Sequence, residues 1–211
     1  MRKKLEKFLL SVLLFGILGV LYSVYLVVHK EEFEKEARLA ALLYNEVPLT
    51  LEERIKEKDC QSQGPLPDKE CTPGSIFENI TKEEICVSGY SKKVRNVSLS
   101  LKKKVFAEYS IEYPVSFGSY EIDHLIPLSL GGNNDISNLW PKSAEPWPGF
   151  YEKNITGNYL LEEVCKGNIL LSVAQERIAD DWFLIYNNIK EDRIRELKDK
   201  YKNWAERGNQ K

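Results

Sequence analysis

The stretch from Glu121 to Trp140 constrains this chain more than any other. Tyr120-Glu-Ile-Asp-His124-Leu-Ile126 reads as a strand with one polar face, Gly131 to Ser137 as a loop, and Asn138-Leu139-Trp140 as the return. Gly131-Gly132 permits a tight reversal, because glycine reaches backbone angles closed to other residues. The side chains carry chemistry as well as shape. His124 has an imidazole that titrates near neutral pH and is a candidate general base. The Asp123 carboxylate is a hard oxygen ligand suited to a divalent cation. Asn138 has an amide that both donates and accepts, so it can pin the loop. Glu121 lies on the strand face of Asp123 rather than of His124, so no direct role is assigned to it. An Asp-His pair is common, and Gly-Gly followed by Asn is ordinary turn chemistry. Their conjunction at this spacing is not ordinary.

Phe8 to Val28 is free of charged residues. At 1.5 Å per residue such a helix covers roughly 30 Å, the hydrocarbon thickness of a bilayer. A buried core helix rarely lacks charge for so long. A cleaved signal normally has a shorter apolar part and ends in small residues, whereas this run ends Tyr25-Leu-Val-Val-His29. The expectation is a membrane-inserted signal anchor. Arg2, Lys3, Lys4 and Lys7 precede it, and Glu31, Glu32, Glu34 and Glu36 follow. That asymmetry predicts a single-pass protein with a cytoplasmic N-terminus and an extracytoplasmic C-terminal domain. Cys60, Cys71, Cys86 and Cys165 all lie beyond the run, and none forms a Cys-x-x-Cys pair. Two disulfides in an oxidising compartment is the expected use, with three pairings open.

The chain of 211 residues with net charge −2 has no global nucleic-acid signature. Charge is uneven, however: residues 31–80 are acidic, and Tyr90 to Tyr120 is basic through Lys92, Lys93, Arg95 and Lys102 to Lys104. The basic stretch is a candidate phosphate-facing flank, or simply a solvated face. Further elements follow from local signals. Helix is expected over Glu31 to Tyr44, and Pro48, Pro65, Pro67 and Gly64 mark a polar tether. Thr81-Lys-Glu-Glu84 is a capping box. Helices are also predicted over Ser98 to Tyr109, from Phe150 to Cys165, and from Leu170 to Asn188 with Val173, Ile178, Trp182 and Ile185 inward. Lys190 to Lys211 reads as a charged helix with Glu191–Arg195 and Glu196–Lys200 pairs. The resulting division is 1–30 basic end and anchor, 31–70 tether, 71–189 globular domain and 190–211 charged helix.

From Cys71 to about Trp182 the chain resembles small exported bacterial HNH (ββα-metal) endonuclease-like proteins. The resemblance rests on Cys71-Thr-Pro-Gly74, Cys86-Val-Ser-Gly-Tyr90, Val94-Arg95, the Asp123-His124…Gly131-Gly132…Asn138-Leu-Trp-Pro141 core, Lys153, Val164-Cys165, Ala174-Gln175 and Trp182. It implies a ββα-metal fold binding a magnesium-type ion between the Asp-His strand and the following helix. It also implies cleavage of the phosphodiester backbone of DNA, with RNA as an alternative substrate. One departure stands out. Where these proteins show Lys-Asp-x-x-Glu-Asn, this chain has Lys153-Asn154-Ile-Thr-Gly157-Asn158. Two carboxylates are lost, leaving the Asn154 and Asn158 amides as weaker oxygen ligands.

The expected fold class is therefore α+β, an N-terminal transmembrane helix followed by a small HNH-like domain with extra helices. The expected catalytic residues are His124, Asp123 and Asn138, with Asp123, Asn158 and Asn154 holding the metal. The expected partners are nucleic acid and, through Phe8 to Val28, a membrane. The competing expectation is a non-catalytic scaffold that keeps the same framework and acts in binding.

Overall fold

The computed structural model describes residues 2–44 and 51–202, with side chains from residue 16 onward except 26–28 and 41–44. Most of it is helix. The helices are α1 (Arg2–Tyr44), α2 (Lys82–Ile85), α3 (Tyr90–Val94), α4 (Leu99–Glu108), α5 (Phe150–Lys166), α6 (Leu171–Asn188) and α7 (Glu191–Lys200). Among the described residues the one named sheet is an antiparallel pair, β1 (Tyr120–His124) and β2 (Leu139–Ser143). The expected α+β class is thereby corrected to a mainly helical fold carrying a hairpin.

The membrane expectation is corrected too. Among the described residues no helix is long and apolar enough to cross a membrane. Within Phe8 to Val28, residues 16–25 are apolar or small with described side chains, about 15 Å of helix, half a bilayer's core. The side chains of 8–15 and 26–28 lie outside the described ones. Helix α1 then runs on through the charged residues 30–38 and docks its outer half against the domain, where Lys190 reaches Glu36 at 2.6 Å and Glu32 at 3.7 Å. The single-pass topology drawn from the charge asymmetry falls with the span.

Local chemistry starts and stops the remaining elements. Thr81 and Glu84 form a reciprocal capping box, and Ser98 caps α4 by accepting from Leu101 N–H. Gly167, at φ 81°, ends α5 in the left-handed region, and Asn168 N–H returns to Glu163 O. Inside α6, Asp181 leaves helical angles and its carboxylate re-caps the chain by accepting from Leu184 N–H. Helices α5 and α6 pack as an antiparallel pair over Leu160, Val164, Ile178, Trp182 and Ile185, with Ile126 and Leu130 inserted from the loop after β1. A smaller cluster joins Leu125, Trp140 and Tyr109 to the Cys60–Cys71 bridge.

The stretch from 51 to 73 has almost no regular structure yet is packed. Pro65 O accepts from Trp182 Nε1 (3.0 Å) and from Lys142 Nζ (3.3 Å), while Arg54 pairs with buried Glu108 at 2.7 Å. Lys142 lies over the Trp140 and Trp182 rings, and burial pushes its ammonium down to about 8. The charges of α7 face inward to α5: Glu162 accepts from Lys200 (2.8 Å), Tyr201 (3.0 Å) and Arg193. These contacts replace the expected Glu191–Arg195 and Glu196–Lys200 pairs. Residues 203–211 of the expected helix lie outside the described residues.

Both disulfides form, Cys60–Cys71 and Cys86–Cys165, with no free cysteine among the described residues. Their separations of 11 and 79 residues set different entropic weights. Replacing Cys86 and Cys165 by Ser should cost about 4.5 kcal/mol, and the Cys60/Cys71 pair about 3 kcal/mol, by loop entropy. Urea denaturation of the two double variants checks the order. Glu162 gives a pH prediction. Burial opposes its ionisation, but the hydrogen bonds from Lys200, Arg193 and Tyr201 outweigh burial and hold it at about 2. A carboxyl lowered on folding contributes stability above its unfolded value and loses it as pH falls through the folded one. The stability gap between wild type and Glu162→Gln should thus be full at pH 7 and close between pH 4.5 and about 2, read by thermal melts.

Candidate functional site

Register sets the faces of the hairpin. Glu121 pairs with Lys142 and Asp123 with Trp140, so these four share one face; Ile122 and His124, opposite Pro141 and Leu139, share the other. The loop between the strands is closed by Asn138, which is fully buried. Its Oδ1 accepts from Ile126 N–H (2.8 Å), and its Nδ2 donates to Ile126 O (3.0 Å) and Asn133 O (2.9 Å). One amide thus pairs both backbone groups of Ile126 and fastens the middle of the loop. Gly131 follows a 3-10 turn at Leu128–Leu130 with φ 79°. Gly132 is required for a different reason: a Cβ there would lie 1.8 Å from Ile126 O.

His124 ends β1 and is 3% exposed. Burial, then the positive charge of Arg95, push its imidazole down to about 4, although Asp123 and Asn134 favour the charged form. At pH 7 the ring is neutral. Its Nε2 lies 3.2 Å from Asn134 Oδ1. Across the sheet, Lys153 from α5 is 1% exposed and sends its ammonium to the end of the same strand. There Nζ donates to His124 O at 2.6 Å and lies 2.9 Å from Asp123 Oδ2. That second contact is an ion pair without hydrogen-bond alignment, so Asp123 Oδ2 is buried and accepts no hydrogen bond. Glu121 is raised to about 7 by burial and then by the neighbouring Asp123 charge.

The site residues expected from sequence are distributed as follows. Asp123 and His124 are adjacent at the end of β1 but face opposite sides of the hairpin, and Asn138 fastens the loop behind them through Ile126. Asn154 is exposed and Asn158 half-buried on α5, and neither side chain makes a hydrogen bond among the described residues. At ~100° per residue both lie well round the helix from Lys153, the residue α5 does deliver to Asp123. Gly157 packs on Pro127, with Cγ 3.1 Å from where a Cβ would be. A glutamate at 157 would therefore crowd that contact. Among the described residues no group of three or more His, Cys, Asp or Glu is placed to hold a metal.

Two contributions escape a reading by motif. Lys153 is among the residues that carry the resemblance, but only its burial and its partners show its function as a strap. Asn134 looks like one more loop residue in Asn133-Asn134-Asp135, with no sequence signal that its amide reaches His124. The chain matches no family model, no curated protein and no solved structure.

Removing the loop clamp should be costly, because a buried backbone group left unpaired loses its desolvation energy outright. Asn138→Ala strands Ile126 N–H and C=O and should cost about 3 kcal/mol or more. Gly132→Ala must displace Ile126 O and should be at least as harmful. Both are read by urea titration against wild type.

Proposed function

We propose that this chain is a metal-dependent nuclease of the HNH type, cutting the phosphodiester backbone of DNA, with RNA as the alternative substrate. The observation supporting this most is the end of β1. There a buried, uncharged imidazole and, on the opposite strand face one residue earlier, a carboxylate whose buried oxygen accepts no hydrogen bond end the same strand. The hairpin is followed by a helix that reaches back to the same strand end.

The residues fit a sparse magnesium-type site. Such an ion uses one or two carboxylates, keeps several waters and takes the rest of its shell from substrate phosphate. Asp123 would hold it through its carboxylate, whose buried Oδ2 lies beside the Lys153 ammonium at 2.9 Å, with Glu121 as a second carboxylate on the same face, a pair whose mutual repulsion a cation relieves. Asn154 and Asn158, well round α5 from Lys153, would reach such an ion only through its waters. Bound there, the ion would offset charge on the scissile phosphate.

The chain's own groups supply the remaining steps. Neutral His124 accepts a proton from the attacking water, and the approach of a phosphate anion favours its protonation by adding negative charge nearby. Arg95, exposed at the end of α3, contributes positive charge felt by both His124 and Glu121. Asn138 and Gly132 keep the loop from relaxing, and Lys153 fixes the strand end.

A scaffold reading draws on one observation, the Lys153–Asp123 ion pair, in which a buried ammonium already balances the carboxylate. Plasmid nicking by the full chain, with magnesium and with chelator, separates the two. Because His124 is buried, His124→Gln is the sound variant: it keeps a donor for Asn134 and lacks a basic nitrogen. It should lower cleavage by roughly two to four orders of magnitude with the thermal midpoint nearly unchanged. Absence of metal-dependent cleavage in wild type would leave the scaffold reading in place.

A further inference from the structure

The Asn134 side chain makes three polar contacts that together fix its orientation. Its Nδ2 donates to Val94 O at 2.8 Å, and its Oδ1 accepts from Asn96 N–H at 3.0 Å. A backbone carbonyl can only accept and a backbone N–H can only donate. Turning the amide over would set like against like at both contacts. Oδ1 is therefore the atom that faces His124 Nε2 at 3.2 Å. An oxygen already committed as acceptor requires a proton on that nitrogen, and in a neutral ring the lone pair then belongs to Nδ1.

The same amide brackets Arg95. Val94 O and Asn96 N–H flank that residue, and pairing both to one side chain immobilises the backbone from which the guanidinium projects. Arg95 is exposed and forms no ion pair among the described residues. A planar guanidinium with free donors suits the two non-bridging oxygens of a phosphodiester.

We propose that Asn134 is the positioning residue of the site. It holds His124 with its proton on Nε2, leaving Nδ1 to accept the proton of water, and it holds the Val94–Asn96 backbone so that Arg95 meets the phosphate. The assignment rests on the nuclease reading of His124, but its geometry is observable without cleavage.

The test uses the full chain labelled with 15N on its histidine rings, at pH 7 and without metal or nucleic acid. His29 is the one other histidine, so His29→Gln identifies the His124 signals. Wild type should show His124 with a protonated, slowly exchanging Nε2 and an unprotonated Nδ1. In Asn134→Leu the slow exchange should vanish and the ring should become a tautomer mixture. Its kcat should fall roughly 10- to 100-fold, the range for losing a group that orients a functional side chain. Arg95→Met should leave the ring pattern intact and raise KM for a short DNA duplex by roughly tenfold or more. A wild-type ring protonated at Nδ1 would overturn the proposal even if the protein cleaves DNA. So would an Asn134→Leu ring that keeps the wild-type pattern and kcat. Should Asn134→Leu fail to fold, the wild-type ring pattern and the Arg95→Met split still decide. A chain that shows the expected ring but never cleaves would count against the nuclease reading and not against the Asn134 geometry.

Discussion

The ammonium of Lys153, withdrawn from water where α5 meets the end of β1, is the interaction around which the site is arranged. Burying a charge costs several kcal/mol unless it is closely compensated. Here compensation comes from the Asp123 carboxylate and the His124 carbonyl, two neighbours on one strand. The helix is thereby tied to the residues that the chemistry requires. The dependence is unequal in its two directions. Loss of Asp123 would strand a buried ammonium, so Asp123 has a structural duty besides any ligand role. A change there reports on both at once, whereas a change at His124 leaves the carbonyl and the strap intact.

Two asparagine amides complete the arrangement on different scales. Asn138 replaces a missing sheet partner for Ile126 and is sealed from solvent. Asn134 works near the surface, substituting for a strand beside Val94 and Asn96 while touching the imidazole. Both use the same property, one side chain that donates and accepts in a fixed plane. An aspartate at either place would lose the donor, and a leucine would lose both. The loop keeps its shape through these directed hydrogen bonds together with the apolar anchors Ile126 and Leu130.

What the sequence made legible was local. The Thr81–Glu84 box, the Ser98 cap, the inward Val173, Ile178, Trp182 and Ile185, and the bounds of α5 and α6 depend on residues a few positions apart, within reach of periodicity and capping rules. Asp123, His124 and Asn138 stood out because they cluster in sequence. What escaped depends on long-range geometry. The cysteine pairing is set by how α2 meets α5. The packing of 51–73 depends on Pro65 O meeting Lys142 and Trp182. The inward charges of α7 follow from Glu162, far away in sequence. The apolar run before residue 30 resembled a membrane span in composition, but α1 continues into a charged half that docks on the domain. The fold class was misjudged because a strong hairpin signal outweighed the helices surrounding it.

The Cys86–Cys165 bond has a topological consequence. Between those two residues lie α3, α4, both strands, the loop and nearly all of α5. Asp123, His124, Asn134, Asn138 and Lys153 thus all belong to one closed covalent ring. A single hydrolysed peptide bond anywhere in that ring would open it without releasing a fragment. The severed ends would stay tethered through sulfur, at the effective concentration of an intramolecular pair. A protein nicked once by a protease would keep every group of the site on one molecule until a reductant divided it.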